Sequence, residues 1–289
     1  MTTRVDPGIR HRVPGKTGRG ARRWPAVLSV AILVAYVALA VAGVFLRHQA
    51  DLVDVSRTLQ PPDGHHLFGT DGEGRDIFAR VSVGAGISMA LAAISVGLGA
   101  IGGLAVALVC GVGPHWLDRT VMAPMNAILA FPQLLLAMAI AIGLGTGLTS
   151  AVTGIVVTII PVFAVTLRAE ALRSKSEAFV QAAVTIGVPK WRIALRHVVP
   201  YLSTTLTIQV AANFGAAVLT LAALSYVGVG AKPPTAEWGA MITDGLQYAA
   251  SGQWWVGVAP GVALLVLVLV VNIFTDQLRV RNRAEGSDA

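Results

Sequence analysis

Charge is what this chain has least of. Only 13% of its 289 residues are Asp, Glu, Lys or Arg, against 55% hydrophobic ones, and mean hydropathy is +0.69. Soluble domains carry about 25% charged residues, so the deficit excludes a water-facing globule and leaves lipid as the solvent. Cysteine is nearly missing as well. The single Cys110 excludes a disulfide framework within the chain. Its place in an apolar run reads as a small buried hydrophobe. The net charge of +7 does not point to nucleic acid, because the basic residues gather in a few loops and tails between uncharged runs.

Five stretches hold no charged residue at all: 24–46, 81–117, 120–167, 197–231 and 245–275. A helix needs about 20 apolar residues to cross a hydrocarbon core of about 30 Å. Four of the stretches suit one span each. The third, of 48 residues, has room for two, with Gly143, Gly145, Thr146, Gly147, Thr149 and Ser150 supplying the reversal. The pattern predicts six helices at roughly 26–46, 84–110, 121–144, 151–167, 203–226 and 256–275. That divides the chain into a basic tail (1–25), a first span (26–46), a loop (47–83), a core (84–275) and a C-terminal tail (276–289).

Basic residues set the orientation. With a cytoplasmic N-terminus, segments 1–25, 111–120, 168–202 and 276–289 lie inside and hold 17 of the 22 Lys and Arg. Both termini are therefore expected in the cytoplasm and loop 47–83 outside. The first run could instead be a signal peptide, since it follows a basic region and carries Ala38, Ala40 and Ala42. Its length of about 21 residues exceeds the usual 7–15, and its removal would leave five spans and spoil the charge bias. The tail before it, rich in Arg, Gly and Pro, is expected to be disordered and to graze anionic headgroups.

The six expected spans contain no ionisable residue. A proton-coupled carrier needs a titratable group at depth, so that class is disfavoured. Asn126, Thr158, Gln209, Asn213 and Asn272 remain, for bonding between helices or for lining a solute path. Gln209, Asn213 and Ser225 are the candidates for the second role. Gly15-Lys16-Thr17 imitates the end of a phosphate-binding loop, but Arg10 stands where that motif requires glycine and no strand precedes it. Adjacent His65 and His66 cannot share one helix or strand face, and no metal site is expected. Gly99 and Gly103 have the small-xxx-small spacing of closely packed helices.

Residues 168–200 form the most informative segment. Phe179, Ala183 and Ile186 recur at helical period. Gly187 suits the left-handed residue that ends a helix, and Pro189 suits the first turn of the next, 190–199. The expected structure is two short helices joined by a glycine, projecting into the cytoplasm. Ala182 and Ala183 would let another protein approach the backbone. An amphipathic hairpin on the membrane surface, held by Lys190, Arg192 and Arg196, is the competing reading.

This segment resembles the "EAA" loop of binding-protein-dependent ABC importer permeases, E-A-A-x3-G-x9-I-x-L-P. Gln181-Ala182-Ala183, Gly187 and Pro200 carry the match, while Gln181 replaces Glu, His197 replaces Ile and Val199 replaces Leu. Arg196-His197-Val198-Val199-Pro200 is similar to the RH-x-x-P variant of the peptide branch. His66-Leu67-Phe68-Gly69-Thr70-Asp71, with Gly74-Arg75-Asp76 and Arg80, resembles an outer-loop segment of dipeptide, oligopeptide and nickel permeases. Leu224-Ser225-Tyr226-Val227-Gly228-Val229-Gly230, Pro233-Pro234 and Trp238-Gly239 resemble a later one. Trp254-Trp255, Pro260-Gly261, Asn272, Asp276, Leu278 and Arg279 resemble its C-terminal segment.

The resemblance implies an all-α integral membrane protein with the type I ABC importer permease fold, in a bacterial cytoplasmic (inner) membrane. It implies a homologous permease partner in a heterodimer, two ATPase subunits and an extracytoplasmic solute-binding protein. ATP and Mg would sit on the ATPases, leaving this chain non-catalytic and without a cofactor. Gln181, Ala182, Ala183, Gly187, Pro189, Arg192, Arg196, His197 and Pro200 would form the ATPase-coupling loop. Gly69, Thr70, Asp71, Gly74, Arg75 and Asp76 would shape the outer loop, by mutual pairing or by touching a partner. Loops 47–83 and 227–255 would meet the binding protein. Peptides are the expected solute; nickel, glutathione-like molecules and short oligosaccharides stay open. A membrane scaffold without transport and a secondary carrier are the other functional classes.

Overall fold

Runs without charge become helices here because a backbone in lipid has only itself to hydrogen-bond to. The computed structural model describes residues 24–285; the basic tail lies outside them. The long helices are α1 (Trp24–Asp51), α2 (Ile77–Val112), α5 (Leu148–Ser174), α8 (Val199–Tyr226) and α10 (Trp255–Glu285). Shorter ones lie between: α3 (His115–Leu129), α4 (Gln133–Gly143), α6 (Ala178–Thr185), α7 (Lys190–Ile193) and α9 (Trp238–Ala249). Five runs are long and apolar enough to cross a membrane: Ala26–Asp51, Ile77–Val112, Leu148–Ser174, Lys190–Tyr226 and Trp255–Asn282. The pair α3 and α4 makes a sixth if counted as one span.

That pair corrects the expected straight helix at 121–144. The chain bends by 98° between α3 and α4. Pro132 causes the break: it carries no N–H and drives the residue before it out of helical geometry. Elsewhere the helices outrun their expected ends. α2 begins at Ile77 because the Asp76 carboxylate accepts the Ala79 N–H at 2.7 Å and caps the first turn. A further helix, α9, occupies what was expected to be loop. It is too short to span, and it buries Trp238, Gly239 and Met241.

α2 and α5 form the central seam. Glycines of α2 face bulky residues of α5, so the two backbones approach closely. A Cβ at Gly99 would lie 2.6 Å from Ile159 Cγ2, and one at Gly103 would lie 2.3 Å from Phe163 Cβ and 2.9 Å from the Ile160 carbonyl. Ile155, Ile159, Phe163 and Leu167 of α5 are fully buried. α1 lies across α2 and α10, held by the Tyr36 hydroxyl donating to the Ala263 carbonyl at 2.7 Å. Its other side exposes Val27, Val34, Val37, Val41, Val44 and Phe45, a surface suited to lipid.

Gly103→Ala is expected to destabilise the fold by about 1–3 kcal/mol through overpacking against backbone. Gly97→Ala, whose Cβ meets nothing within 4 Å, is the control. Thermal melting in detergent compares them, and equal melting temperatures would contradict the seam.

Candidate functional site

Between α5 and α8 the chain forms a hairpin. α6 ends where Gly187 takes φ +79°. The Gly187 N–H donates to the Val184 carbonyl and the Val188 N–H to the Ala183 carbonyl, both at 3.0 Å. This is the Schellman arrangement that satisfies the last carbonyls of a helix. The Pro189 carbonyl then receives the Arg192 and Ile193 N–H groups at 2.9 and 3.2 Å and starts α7. α7 does not stand apart from the following span, as expected from the sequence. It runs through a π turn, Ala194–Val198, into α8. The wide turn sits just before Pro200, which has no N–H to give the carbonyl four residues earlier and crowds it.

The hairpin has two unlike faces. Val180, Ala183, Ile193 and Val198 are buried. Phe179, Val184, Ile186, Trp191 and Leu195 are exposed, Ile186 at 79%. Ala182 and Gln181 share the exposed side, with Gly187, Pro189, Lys190, Arg192, Arg196 and Pro200. Two expectations need correcting. Ala183 faces inward, so Ala182 alone of the pair can touch another protein; Phe179 and Ile186 do not share its buried face. Arg192 lies over the Trp191 ring, 5.3 Å from its centroid. His197 is half-buried, tilted against Phe179 with ring centroids 6.2 Å apart. The Gln181 side chain donates to the Ser176 carbonyl at 3.5 Å.

At the other end of the bundle, loop 52–76 is built round one buried carboxylate. Asp71 accepts from Arg75 Nε at 2.7 Å and lies 3.4 Å from Arg80 Nε. All three side chains are at most 4% exposed. Asp71 also accepts the backbone N–H groups of Glu73 and Arg75. Arg80 donates to the carbonyls of Ala50 and Pro234, joining the end of α1 to the loop after α8. Asp76 caps α2 and receives His66 Nδ1 at 2.7 Å. The Thr70 hydroxyl bonds to the Arg57 carbonyl and accepts from Gln60 N–H. Gly69 and Gly74 take φ of +75° and +76° to turn the loop back on itself. The loop residues therefore bind one another.

Of the polar residues expected along a path, Gln209 and Asn213 pair on α8: Asn213 Nδ2 donates to the Gln209 carbonyl and to Oε1 at 2.8 and 3.1 Å. Ser225 lies elsewhere. It is 2% exposed and its Oγ accepts the Ala231 N–H at 2.9 Å, so it closes a turn and lines no open surface of this chain. Sequence reasoning missed Glu237, which is fully buried although it lies outside the long apolar runs. It caps α9 by accepting the Ala240 N–H at 3.0 Å, and Ser88 of α2 donates to it at 3.3 Å. Burial lifts its pKa above the ordinary 4.5, against the hydrogen bonds from Gly239, Ala240, Ser225 and Ser88.

The hairpin, with its glycine corner and bare outer face, lies inside a range that matches a known family. Residues 99–283 match the family described as "Binding-protein-dependent transport system inner membrane component". The chain belongs to this family. It is the permease subunit of an ABC importer, of the peptide-transporter branch. Among its relatives is the probable D,D-dipeptide transport system permease protein DdpC of Escherichia coli K12, 34% identical over 88% of this chain and 85% of that protein. The dipeptide transport system permease protein DppC of Alkalihalophilus pseudofirmus is 33% identical over 88% and 84%. The glutathione transport system permease protein GsiD of Escherichia coli O6:K15:H31 is 34% identical over 90% and 87%. The fold resembles a chain of the MetNI methionine ABC transporter, with a TM-score of 0.54 over 70% of this chain and 95% of that one at 21% identity. Permeases of this family work with ATPase subunits and a binding protein. The matched range includes the hairpin and α9; the cluster of Asp71, Arg75 and Arg80 precedes it.

In this permease the neutral form of Glu237 is the one burial favours. The stability it contributes is complete below pH 4.5 and is lost as pH rises through the raised pKa. Glu237→Gln, neutral at every pH, is expected to flatten the fall in melting temperature above that pH. An unchanged slope in the variant would show that other groups cause it.

Proposed function

We propose that this permease forms one half of the path for a peptide-type solute, paired with a homologous permease in a bacterial cytoplasmic membrane. The names of the relatives support the solute class: two are dipeptide permeases and one a glutathione permease. In this reading the hairpin 168–202 and both termini lie in the cytoplasm, in line with the excess of Lys and Arg there. Two ATPase subunits bind ATP and Mg, and one grips the hairpin. Loops 47–83 and 227–255 lie outside and meet the solute-binding protein.

One observation carries the proposal. Val184, Ile186, Trp191 and Leu195 are held out on a rigid corner and nothing else in the described chain covers them. Exposed apolar clusters rimmed by polar groups mark interaction surfaces, and Lys190, Arg192 and Arg196 supply the rim. A membrane-surface hairpin fits less well, because Tyr201 of α8 packs on Phe179 and donates to Glu177, and the corner is fixed by the Gly187 cap. As that base shifts with the ATPases, the helices carry the movement and the path opens to alternate sides.

Ala182→Arg places a bulky charge on the exposed face without entering the buried one. It is expected to lower co-purification of the ATPase subunits about tenfold, a loss of about 1.4 kcal/mol, with membrane insertion unchanged. Uptake of a labelled dipeptide would fall with it. Full co-purification and uptake in the variant would refute the docking role.

A further inference from the structure

α3 is a helix with little of its own surface buried. Of its 15 residues only Asp118 and Met122 are buried. Asp118 stands in the first turn and both its oxygens receive the guanidinium of Arg168 on α5, through Nε and one terminal nitrogen. The two residues are far apart in sequence and come from different helices, so the fork adds a directional tie between α3 and α5 to the packing already there. Arg168 lies near the end of α5, just before the chain turns into the hairpin.

The opposite end of α3 reaches the 98° bend, about 22 Å away at 1.5 Å per residue. A cavity of about 240 Å³ opens there, with Leu129 and Phe131 on one side, Gln133 and Leu136 of α4 on the next, and Thr158 and Val162 of α5 behind. The Gln133 carboxamide nitrogen beside it is buried without a hydrogen-bond partner. An unpaired buried donor costs about 1–3 kcal/mol, so any acceptor that came within reach would stabilise this corner. α3 and α5 thus meet at an ion pair near the hairpin and part round a cavity at the bend.

We propose that the Asp118–Arg168 pair is a transmission joint, which makes α3 follow the base of α5 and so delivers movement of the hairpin to the bend at residues 130–132. Both are positioning residues: neither touches solute or nucleotide. A fork of two parallel N–H···O bonds suits the task, because it fixes direction as well as distance. This inference rests on the reading that ATPases move the hairpin, and it adds where the movement goes.

The test uses the assembled transporter in vesicles. Phe131 is 62% exposed on this chain by itself and Cys110 is buried, so Phe131→Cys puts a thiol at the bend whose reactivity reports what covers it. Maleimide labelling of the chain is timed with and without ATP and vanadate. The labelling rate is expected to change about fivefold or more, the range of a coupled two-state element. Adding Asp118→Asn should reduce the change to below about twofold while the ATPases stay bound. Exchanging the charges, Asp118→Arg with Arg168→Asp, should restore it. Removing one partner of a buried pair can also unfold a helix; the exchanged pair separates the two effects, since it restores the joint and not the original packing. A full response in Asp118→Asn, no response in the parent with ATPases bound, or an exchanged pair that assembles without responding would each overturn the inference. If no ATPase co-purifies with the parent, the proposed function itself fails and the joint with it.

Discussion

Lipid offers a backbone nothing to bond with, and most of this architecture follows from that. Each long span satisfies its own N–H and C=O groups. Charges are sent to the two ends of the bundle, and attraction between the helices must come from packing rather than from water leaving apolar surface. The α2–α5 seam meets that demand with glycine set against isoleucine and phenylalanine. Where backbone order breaks between α3 and α4, Thr158 and Val162 of α5 line one side of the bend and Phe131 stands exposed on it.

The charges sent to the ends are put to opposite uses. At one end Asp71, Arg75 and Arg80 turn inward and consume one another, binding α1, α2 and the loop after α8 into a rigid rim. A buried ion pair adds little net stability once desolvation is counted, and here its effect is to fix geometry. At the other end Lys190, Arg192 and Arg196 stay in water round an apolar corner. One end is closed on itself and the other is left open to a partner. Glu237 belongs to neither set: it is a carboxyl buried between α2 and α9, held by the first N–H groups of α9 and by serine hydroxyls.

Charge-free runs made the spans legible, because exclusion of charge from lipid is a one-dimensional signal. The glycine corner was legible too, since Gly187 two residues before Pro189 combines a helix stop with a helix start. Four features were not. The bend depends on Pro132 acting in an apolar run that otherwise reads as one helix. α9 is short and polar on one side, so neither length nor hydropathy marks it. The inward turn of Ala183, and of Ser225, depends on which face of a helix meets its neighbour, and spacing alone left either face open. The pairing of Asp118 with Arg168 links residues far apart in sequence, which only the folded chain brings together.

The central claim is that the exposed corner of the hairpin faces the cytoplasm, where an ATPase can reach it. Labelling an Ile186→Cys variant with a membrane-impermeant maleimide in oriented vesicles tests this directly. The account requires labelling in inside-out vesicles and protection in right-side-out ones. Labelling from the right-side-out surface would place the corner outside the cell and contradict it.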